Sequence, residues 1–187
     1  MPFIRRQGSW NLCAKQGRTV AFAVRQAFEA LERGITTREL DDITRRAIEA
    51  EGANPGFLGL YDFPATACIS INEEIVHGIP IDRVVQAGVL VTLDCGAVVD
   101  GYNSDYEVTK VAGTSTDAKD DLIGTTRGSL VMGIEVARPG NRVGDISSAI
   151  EGHVAPRPFE LVREYVGYGI GKDLHEPPQV PNLGPSG

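Results

Sequence analysis

A β-hairpin that carries two aspartates is the feature that most constrains what this chain can fold into. Residues 89–93 (VLVTL) form a near-continuous apolar run, which is typical of a strand buried on both faces. Asp100-Gly101 is a turn signal, and Tyr102 begins a return strand. Asp94 and Asp105 fall on the two strands of this hairpin, and their carboxylates are predicted to lie on one face.

The position of the turn decides how close the two carboxylates are. A turn centred between Val99 and Asp100 places Asp94 directly opposite Asp105, with Cβ atoms roughly 5 Å apart. A turn centred on Asp100-Gly101 makes them diagonal neighbours, roughly 7–8 Å apart. In either register, it is energetically costly for both carboxylates to ionise unless a proton or a cation lies between them. Hard divalent metal ions take such ligands, and two hairpin aspartates pointing at solvent are the alternative.

Composition bounds the class of protein. A chain of 187 residues has room for one domain with a substantial core. Its 42% apolar and 23% charged residues are typical of a soluble globular protein. A net charge of −7 and a pI near 5.0 argue against non-specific binding to nucleic acid or to anionic membranes. No apolar run approaches the ~20 residues of a membrane span.

The cysteines and the N-terminal residues indicate a reducing compartment. Cys13, Cys68 and Cys95 are too few and too scattered for a disulfide framework, and none belongs to a CxxC pair that would bind zinc. Residues 1–11 (MPFIRRQGSWN) contain no apolar core of a secretory signal. We therefore expect the protein to be cytoplasmic.

Hydrophobic periodicity predicts four helices. They cover residues 10–33, 36–50, 116–138 and 143–154. Gly34 supplies a left-handed stop for the first helix, and Thr36 with Glu39 forms a capping box for the second. Apolar residues at helical spacing mark one face of the first helix (Val20, Val24, Ala27, Phe28 and Leu31) and the buried stripe of the second (Leu40, Ile43, Ala47 and Ile48). The third helix carries the apolar residues Leu122, Leu130, Ile134 and Val136. Gly124, Gly128 and Gly133 weaken the third helix, each by up to ~1 kcal/mol relative to alanine.

Strands are predicted at residues 65–71, 89–97, 102–111 and 161–165. The order of elements is helix, helix, strands and then helix, helix, strand, which is a weak internal duplication. The second half has one clear strand, and a half-built sheet leaves an unpaired edge. We therefore expect either that the chain lacks its end or that it associates with itself or a partner through that edge.

Four segments together resemble the type I methionine aminopeptidases. They are residues 68–80 (CISINEEIVHGIP), the hairpin over residues 93–109, residues 137–141 (ARPGN), and residues 167–171 (GYGIG) with Leu174-His175-Glu176. The resemblance runs from about residue 8 to the last residue. It implies an α+β pita-bread (creatinase/aminopeptidase) fold with two pseudo-symmetric α-α-β halves, the second incomplete. Residues 1–187 would form a single methionine aminopeptidase-like catalytic domain that lacks its C-terminal strands.

The resemblance implies a function and its requirements. The family removes the initiator methionine from new proteins by metal-dependent hydrolysis. The implied cofactors are two divalent metal ions (Co, Mn, Fe, Zn or Ni). The implied partner is the N-terminal methionine of nascent polypeptides, and ribosome association is a further expectation. No nucleic acid or membrane partner is expected. Paired cations of this kind lower the pKa of a bridging water.

The resemblance also implies roles for individual residues. Asp94 and Asp105 match the family's two aspartate ligands. His77 matches the histidine that contacts the substrate near the scissile bond, and His175 matches the one that stabilises the tetrahedral intermediate.

Three further residues fall where the family lines its methionine pocket: Phe57, Phe63 and Cys68. Apolar side chains there suit a thioether guest.

The chain departs from the family pattern at two important places. Tyr168 stands at the position of the histidine ligand in the family's GHGIG motif, and a neutral phenol with a pKa near 10 is a poor metal ligand. Both glutamate ligands, one of which is also the general acid/base, would lie beyond residue 187. Of five expected ligands, Asp94 and Asp105 alone are supplied, so we expect weak metal binding and impaired activity. Lys110 also replaces an apolar or aromatic residue.

Two other functions remain open. The first is a non-catalytic pita-bread relative that serves as a binding or interaction protein, as the loss of the histidine at Tyr168 suggests. The second is creatinase or prolidase chemistry, which the short N-terminus disfavours.

Individual residues also have structural alternatives. Glu107 either adds a carboxylate to the site or is a solvated charge. His77 is alternatively a turn residue before Gly78, and His153 is interpreted as a helix-end residue without chemistry.

Overall fold

The computed structural model describes residues 7–32 and 34–187, with side chains from residue 14 onward. Within these residues, the chain forms two compact units. The first extends from the N-terminal helix to Ser115 and includes Ile170–Leu174, and the second comprises Thr116–Gly169 and His175–Gly187. None of the helices in the described ranges is long and apolar enough to cross a membrane.

The first unit combines two helices with an antiparallel sheet. Its elements are α1 (Gln7–Glu29), α2 (Thr37–Ala50), β1 (Asn54–Pro55), a short 3-10 helix (Leu60–Asp62), β2 (Ala67–Ile71), β3 (Leu90–Val99) and β4 (Tyr102–Val111). Strand β3 is the centre of the four-stranded sheet. It pairs along its whole length with β4, and separate stretches of it pair with β2 and β1.

The core of this unit lies between the helices and one face of the sheet. Alternate residues of β3, from Val91 to Val99, are buried in this core. The predicted faces of α1 and α2 pack there, with Leu31 and Ile43 partly buried at the edge. The predicted capping box of Thr36 and Glu39 is confirmed. Because one face of β3 is fixed against the helices, its other face is left to present Asp94 and Gly96.

A buried carboxylate of α2 holds the start of β2. Asp41 Oδ1 accepts hydrogen bonds from the backbone N–H groups of Thr66 (2.9 Å) and Ala67 (2.8 Å). Arg45 Nε donates to Thr66 Oγ1 at 3.1 Å. These contacts anchor the strand that carries Cys68.

The second unit consists of a helix pair and a two-stranded sheet. Its elements are α3 (Asp117–Val136), α4 (Val143–Val154), β5 (Val166–Gly169) and β6 (Glu176–Pro181). Strands β5 and β6 are antiparallel. The Ser147 hydroxyl of α4 donates to the Pro181 carbonyl of β6 at 2.7 Å, which ties the helix to the sheet.

Several predicted boundaries are wrong. Helix α1 ends at Glu29 and not near Arg33, which lies outside the described residues. Gly34 does have a left-handed φ of 101°, but it belongs to the turn before α2. Residues 161–165 are not a strand, because pairing begins only at Val166. The short strand β1 and the proline-rich strand β6 were not predicted.

Three of the apolar residues carried by α3 are exposed. Leu122, Leu130 and Ile134 are 37%, 59% and 62% exposed, and the buried residues are Thr125, Ser129 and Gly133. The reason is close packing against α4. A Cβ on Gly128 would lie 2.5 Å from His153 Nε2, and one on Gly133 would lie 3.1 Å from Ile150 Cδ1. The glycines therefore form the contact surface, and His153 is a packing residue of the helix pair.

Candidate active site

The register of the hairpin selects one of the two predicted arrangements. Val99 pairs with Tyr102, which centres the turn on Asp100-Gly101. Asp100 and Gly101 have φ values of 51° and 76°, as a tight two-residue hairpin turn requires. Asp94 is therefore opposite Glu107 and Asp105 is opposite Gly96, so the two aspartates are diagonal neighbours on one face.

The two carboxylates contact each other. Burial raises the pKa of Asp94 well above its usual range, and the charge of Asp105 and a hydrogen bond between the two side chains raise it further. The pair therefore holds a proton in the metal-free protein. A cation that displaced this proton would relieve the same repulsion.

One oxygen of Asp94 is suited to a metal ion. Its Oδ1 atom is buried and has no hydrogen-bond partner among the described residues. A buried carboxylate oxygen without a partner is unfavourable in itself and is a ready ligand for a hard cation. Within the described part of the chain, no group of three or more His, Cys, Asp or Glu side chains is arranged to hold a metal. The hairpin thus fits a divalent ion as a partial site built on two carboxylates.

Glu107 lies on the same face, as its position on the strand predicted. Loss of hydration, followed by the charge of Asp105, raises the pKa of Glu107. Its side chain is nevertheless exposed, whereas Asp94 and Asp105 are half-buried. It is the least constrained of the three carboxylates.

An apolar cluster lies directly beside the carboxylates. It consists of three buried residues, Phe57, Cys68 and Leu174, with Leu60, Phe63 and Ile170 partly buried against them. The structure therefore brings together all three residues predicted to line a methionine pocket. Leu60, Ile170 and Leu174 were missed, although the position of Leu174 immediately before His175 was a usable signal.

Gly96 and Cys68 connect the apolar cluster to the hairpin. A Cβ on Gly96 would lie 2.7 Å from Cε1 of Phe57, so only glycine lets the ring cover β3 next to Asp94. Cys68 pairs directly with Asp94 across the sheet. Burial, followed by the charge of Asp94, raises the pKa of Cys68 to about 12, so its thiol is neutral. The wall beside the carboxylates is thus apolar and uncharged.

The backbone around His77 is fixed against β2. His77 has a left-handed φ of 62° and an exposed side chain. The following Gly78 accepts a hydrogen bond from Ile69 N at 2.8 Å and donates one to Ser70 Oγ at 3.1 Å. His77 is therefore held next to the strand that carries Cys68.

Tyr168 and His175 form a pair in the second unit. Their ring centroids are 4.3 Å apart and the ring planes meet at 80°, an edge-to-face contact. Tyr168 is half-buried and His175 is exposed. The residue at the predicted histidine-ligand position thus contacts the predicted catalytic histidine.

Comparison with known proteins identifies the family. Residues 12–187 match the sequence pattern of metallopeptidase family M24. The chain belongs to this family. Its relatives include methionine aminopeptidase 1 of Bacillus subtilis, 43% identical over 175 residues that cover 94% of this chain and 71% of the relative. The methionine aminopeptidase of Clostridium perfringens is 38% identical over 187 residues, covering 100% of this chain and 75% of that one.

Solved structures of the M24 family confirm the fold. Methionine aminopeptidase from Thermotoga maritima superimposes with a TM-score of 0.97 at 34% identity, covering 100% of this chain and 76% of that chain. Prolidase from Pyrococcus furiosus gives a TM-score of 0.85 at 22% identity over 96% of this chain and 52% of that chain, a likeness of fold alone. The predicted pita-bread fold is confirmed, and the chain is a methionine aminopeptidase-like hydrolase of a metal-dependent family.

Proposed function

We propose that this chain hydrolyses the N-terminal methionine from polypeptides, with Asp94 and Asp105 as ligands of a divalent metal ion. The observation that carries the proposal is the buried, unpartnered Oδ1 of Asp94 next to an apolar cluster. A hard cation site beside an apolar cluster suits a substrate with a thioether side chain close to the bond that is cleaved.

Each part of the site has a task in this proposal. Asp94 would release its proton to solvent and, with Asp105, would hold the ion, which when bound would supply Lewis acidity and a water of lowered pKa. Phe57, Phe63 and the neutral Cys68 thiol bind the methionine side chain. His77 contacts the substrate near the bond that is cleaved, and His175 donates a hydrogen bond to the oxygen that becomes negative.

The metal is expected to bind weakly. Two hairpin carboxylates hold at most one ion, and that weakly, and Tyr168 offers a neutral phenol in place of an imidazole. We therefore propose reduced activity relative to methionine aminopeptidases that have the histidine. The second metal ion and the choice among Co, Mn, Fe, Zn and Ni stay predictions.

The cellular setting is proposed on the same basis. We place the reaction in the cytoplasm, on nascent polypeptides, and assign residues 1–187 to a single catalytic domain. Association with the ribosome and self-association through a sheet edge stay predictions.

Metal titration of matched hairpin variants tests the ligand assignment. Asp105→Asn removes a proposed ligand, and we expect Mn²⁺ affinity to fall by more than the ~10- to 100-fold that loss of an outer-shell group causes. Asp100→Asn is the control, because Asp100 is exposed in the turn and its left-handed φ of 51° suits asparagine. Isothermal titration calorimetry measures both. Equal Mn²⁺ affinities in the two variants would show that Asp105 of the hairpin is not a metal ligand.

Tyr168 favours a second candidate, a non-catalytic binding protein with the same fold. The tyrosine at the position of the histidine ligand supports it. This alternative predicts no Mn²⁺ or Co²⁺ binding by the unaltered chain and no methionine release at any metal concentration.

A further inference from the structure

Residues 72–78 form the His77 loop, which leaves the end of β2 and returns to the same strand. At its start, Asn72 N donates to the Leu90 carbonyl at 3.1 Å, and Leu90 N donates to Asn72 Oδ1 at 2.9 Å. Asn72 and His77 both have left-handed φ values, of 54° and 62°. A residue other than glycine keeps such a conformation only where surrounding contacts hold the backbone. The conformation at His77 therefore depends on contacts that fix the loop.

Glu74 ties the middle of the His77 loop back to β2. Its Oε2 atom accepts a hydrogen bond from the backbone N–H of Ile71 at 2.8 Å, and its own N–H donates to the Ile71 carbonyl at 3.2 Å. Its Oε1 atom lies 2.6 Å from Nη1 of Arg83, which is a charge-assisted hydrogen bond. One carboxylate thus holds the last residue of β2 with one oxygen and an arginine outside the loop with the other.

Arg83 is a firm partner because its backbone is bound to the first turn of α2. The Arg83 carbonyl accepts from Thr37 N, and the Ile81 carbonyl accepts from Arg38 N, both at 3.0 Å. The hydroxyl of Thr37 donates to the same Ile81 carbonyl at 2.8 Å. Because the first N–H groups of a helix have no acceptor within it, residues 81–83 supply the acceptors that α2 lacks. The contact with Glu74 therefore connects the His77 loop to α2.

The Glu74–Arg83 pair is only partly shielded from water. The two side chains are 42% and 39% exposed, and an ion pair this accessible adds little to global stability. A change at either residue should therefore leave the fold intact and act on the loop to which Glu74 belongs.

We infer that Glu74 is a positioning residue, which together with Arg83 fixes the backbone of the His77 loop and so sets where His77 meets the substrate. The inference rests on the proposed function in giving His77 a contact with the substrate near the bond that is cleaved. It concerns the path of the backbone, so it holds whatever the imidazole itself contacts. Glu74 acts through His77 and itself touches neither the substrate nor the metal ion.

A double-mutant cycle on the Glu74–Arg83 pair is the test. Glu74→Gln keeps an acceptor for the Ile71 N–H but loses the charge, Arg83→Met keeps an unbranched side chain without donors, and a third variant combines both. Glu73→Gln is the matched control, because Glu73 is an exposed carboxylate of the same loop and its loss changes the charge equally.

Two measurements are made on each variant. The imidazole C–H resonances of His77 are followed by NMR at fixed pH in the metal-free full chain, with His153 and His175 as internal references. Methionine release from a Met-Ala-Ser peptide in saturating Mn²⁺ supplies kcat and KM.

We expect the His77 resonances to shift in Glu74→Gln and in Arg83→Met, and the double variant to match the single ones, because residues that act as a unit are not additive. The resonances should stay in place in Glu73→Gln, and those of His153 and His175 in all variants. KM should rise about twofold to fivefold in the three variants of the pair with kcat nearly constant, the range of one partly exposed ion pair.

Three results would overturn the inference. The first is an unmoved set of His77 resonances in Glu74→Gln, and the second is an equal shift in Glu73→Gln. The third is a lower urea midpoint of unfolding with an unchanged KM, since that combination is the mark of a role in stability alone.

The proposed function fails separately. If the unaltered chain releases no methionine while the His77 resonances still shift in the variants of the pair alone, the proposed reaction is contradicted and the positioning of His77 is supported. Shifted resonances in a chain that does release methionine, with KM and kcat both unchanged, would overturn Glu74 as a positioning residue for this reaction.

Discussion

At the scale of single residues, the shared proton of Asp94 and Asp105 links metal binding to pH. The pKa of Asp94 is raised in the folded protein, first by burial and then by Asp105. A proton that binds more tightly in the folded state stabilises the fold. This stabilisation is complete below the unfolded pKa of about 3.9 and is lost as the pH rises toward the pKa of the folded state. The metal-free protein should therefore lose stability as pH rises from about 4 through neutrality, by at most about 1.4 kcal/mol per pH unit for this group.

Two substitutions check the cause of this slope. Asp94→Asn should flatten the fall in the free energy of unfolding between about pH 4 and 8. Asp105→Asn should reduce it only in part, because burial is the larger cause and remains. Urea unfolding in the presence of a chelator gives the free energies. A steeper slope in Asp94→Asn than in the wild type would contradict the shared proton.

At the scale of elements, the loop that carries His77 depends on one close approach. A Cβ on Gly78 would lie 2.3 Å from the Ile69 carbonyl oxygen and 2.9 Å from Ser70 Cα, both backbone atoms of β2. Neither can move without breaking the strand. Gly78→Ala should therefore cost about 1–3 kcal/mol of stability, the range for overpacking, and should lower substrate affinity because His77 shifts with the loop.

A second glycine supplies the control for that substitution. Gly17 is exposed in α1, and a Cβ there would meet nothing within 4 Å. Gly17→Ala should stabilise the protein by up to about 1 kcal/mol through helix propensity. Thermal unfolding of the two variants gives the sign of each change in stability. A destabilised Gly17→Ala together with an unaffected Gly78→Ala would refute the packing argument.

Elements differ in how far the sequence predicts them. The hairpin was predicted because the apolar run of residues 89–93 and the turn signal Asp100-Gly101 act locally, but these signals left its register open until pairing selected one of two turns. Strand β6 was missed because Pro177 and Pro178 lack the N–H groups by which strands are recognised. The packing face of α3 was not predicted, because hydrophobic periodicity does not detect helix packing through Gly128 and Gly133.

At the scale of the whole molecule, family membership and local chemistry lead to one account. The fold, the metal-dependent family and the similarity to methionine aminopeptidases are shown by comparison. The hairpin pattern predicted the two carboxylates, and the family resemblance implied the apolar residues Phe57, Phe63 and Cys68, which the structure brings together in the first unit. The roles of His77, His175 and Tyr168 depend on how a substrate binds. Neither hydrophobic periodicity nor side-chain packing defines that binding.

The most direct test of the central claim is the rate of methionine release from a Met-Ala-Ser peptide, followed by mass spectrometry with added Mn²⁺. We predict slow release by the unaltered chain that stops when a chelator is added, is abolished in Asp105→Asn and persists in Asp100→Asn. Release that survives in Asp105→Asn, or no release by the unaltered chain with Mn²⁺ or Co²⁺, would contradict metal-dependent hydrolysis at this hairpin.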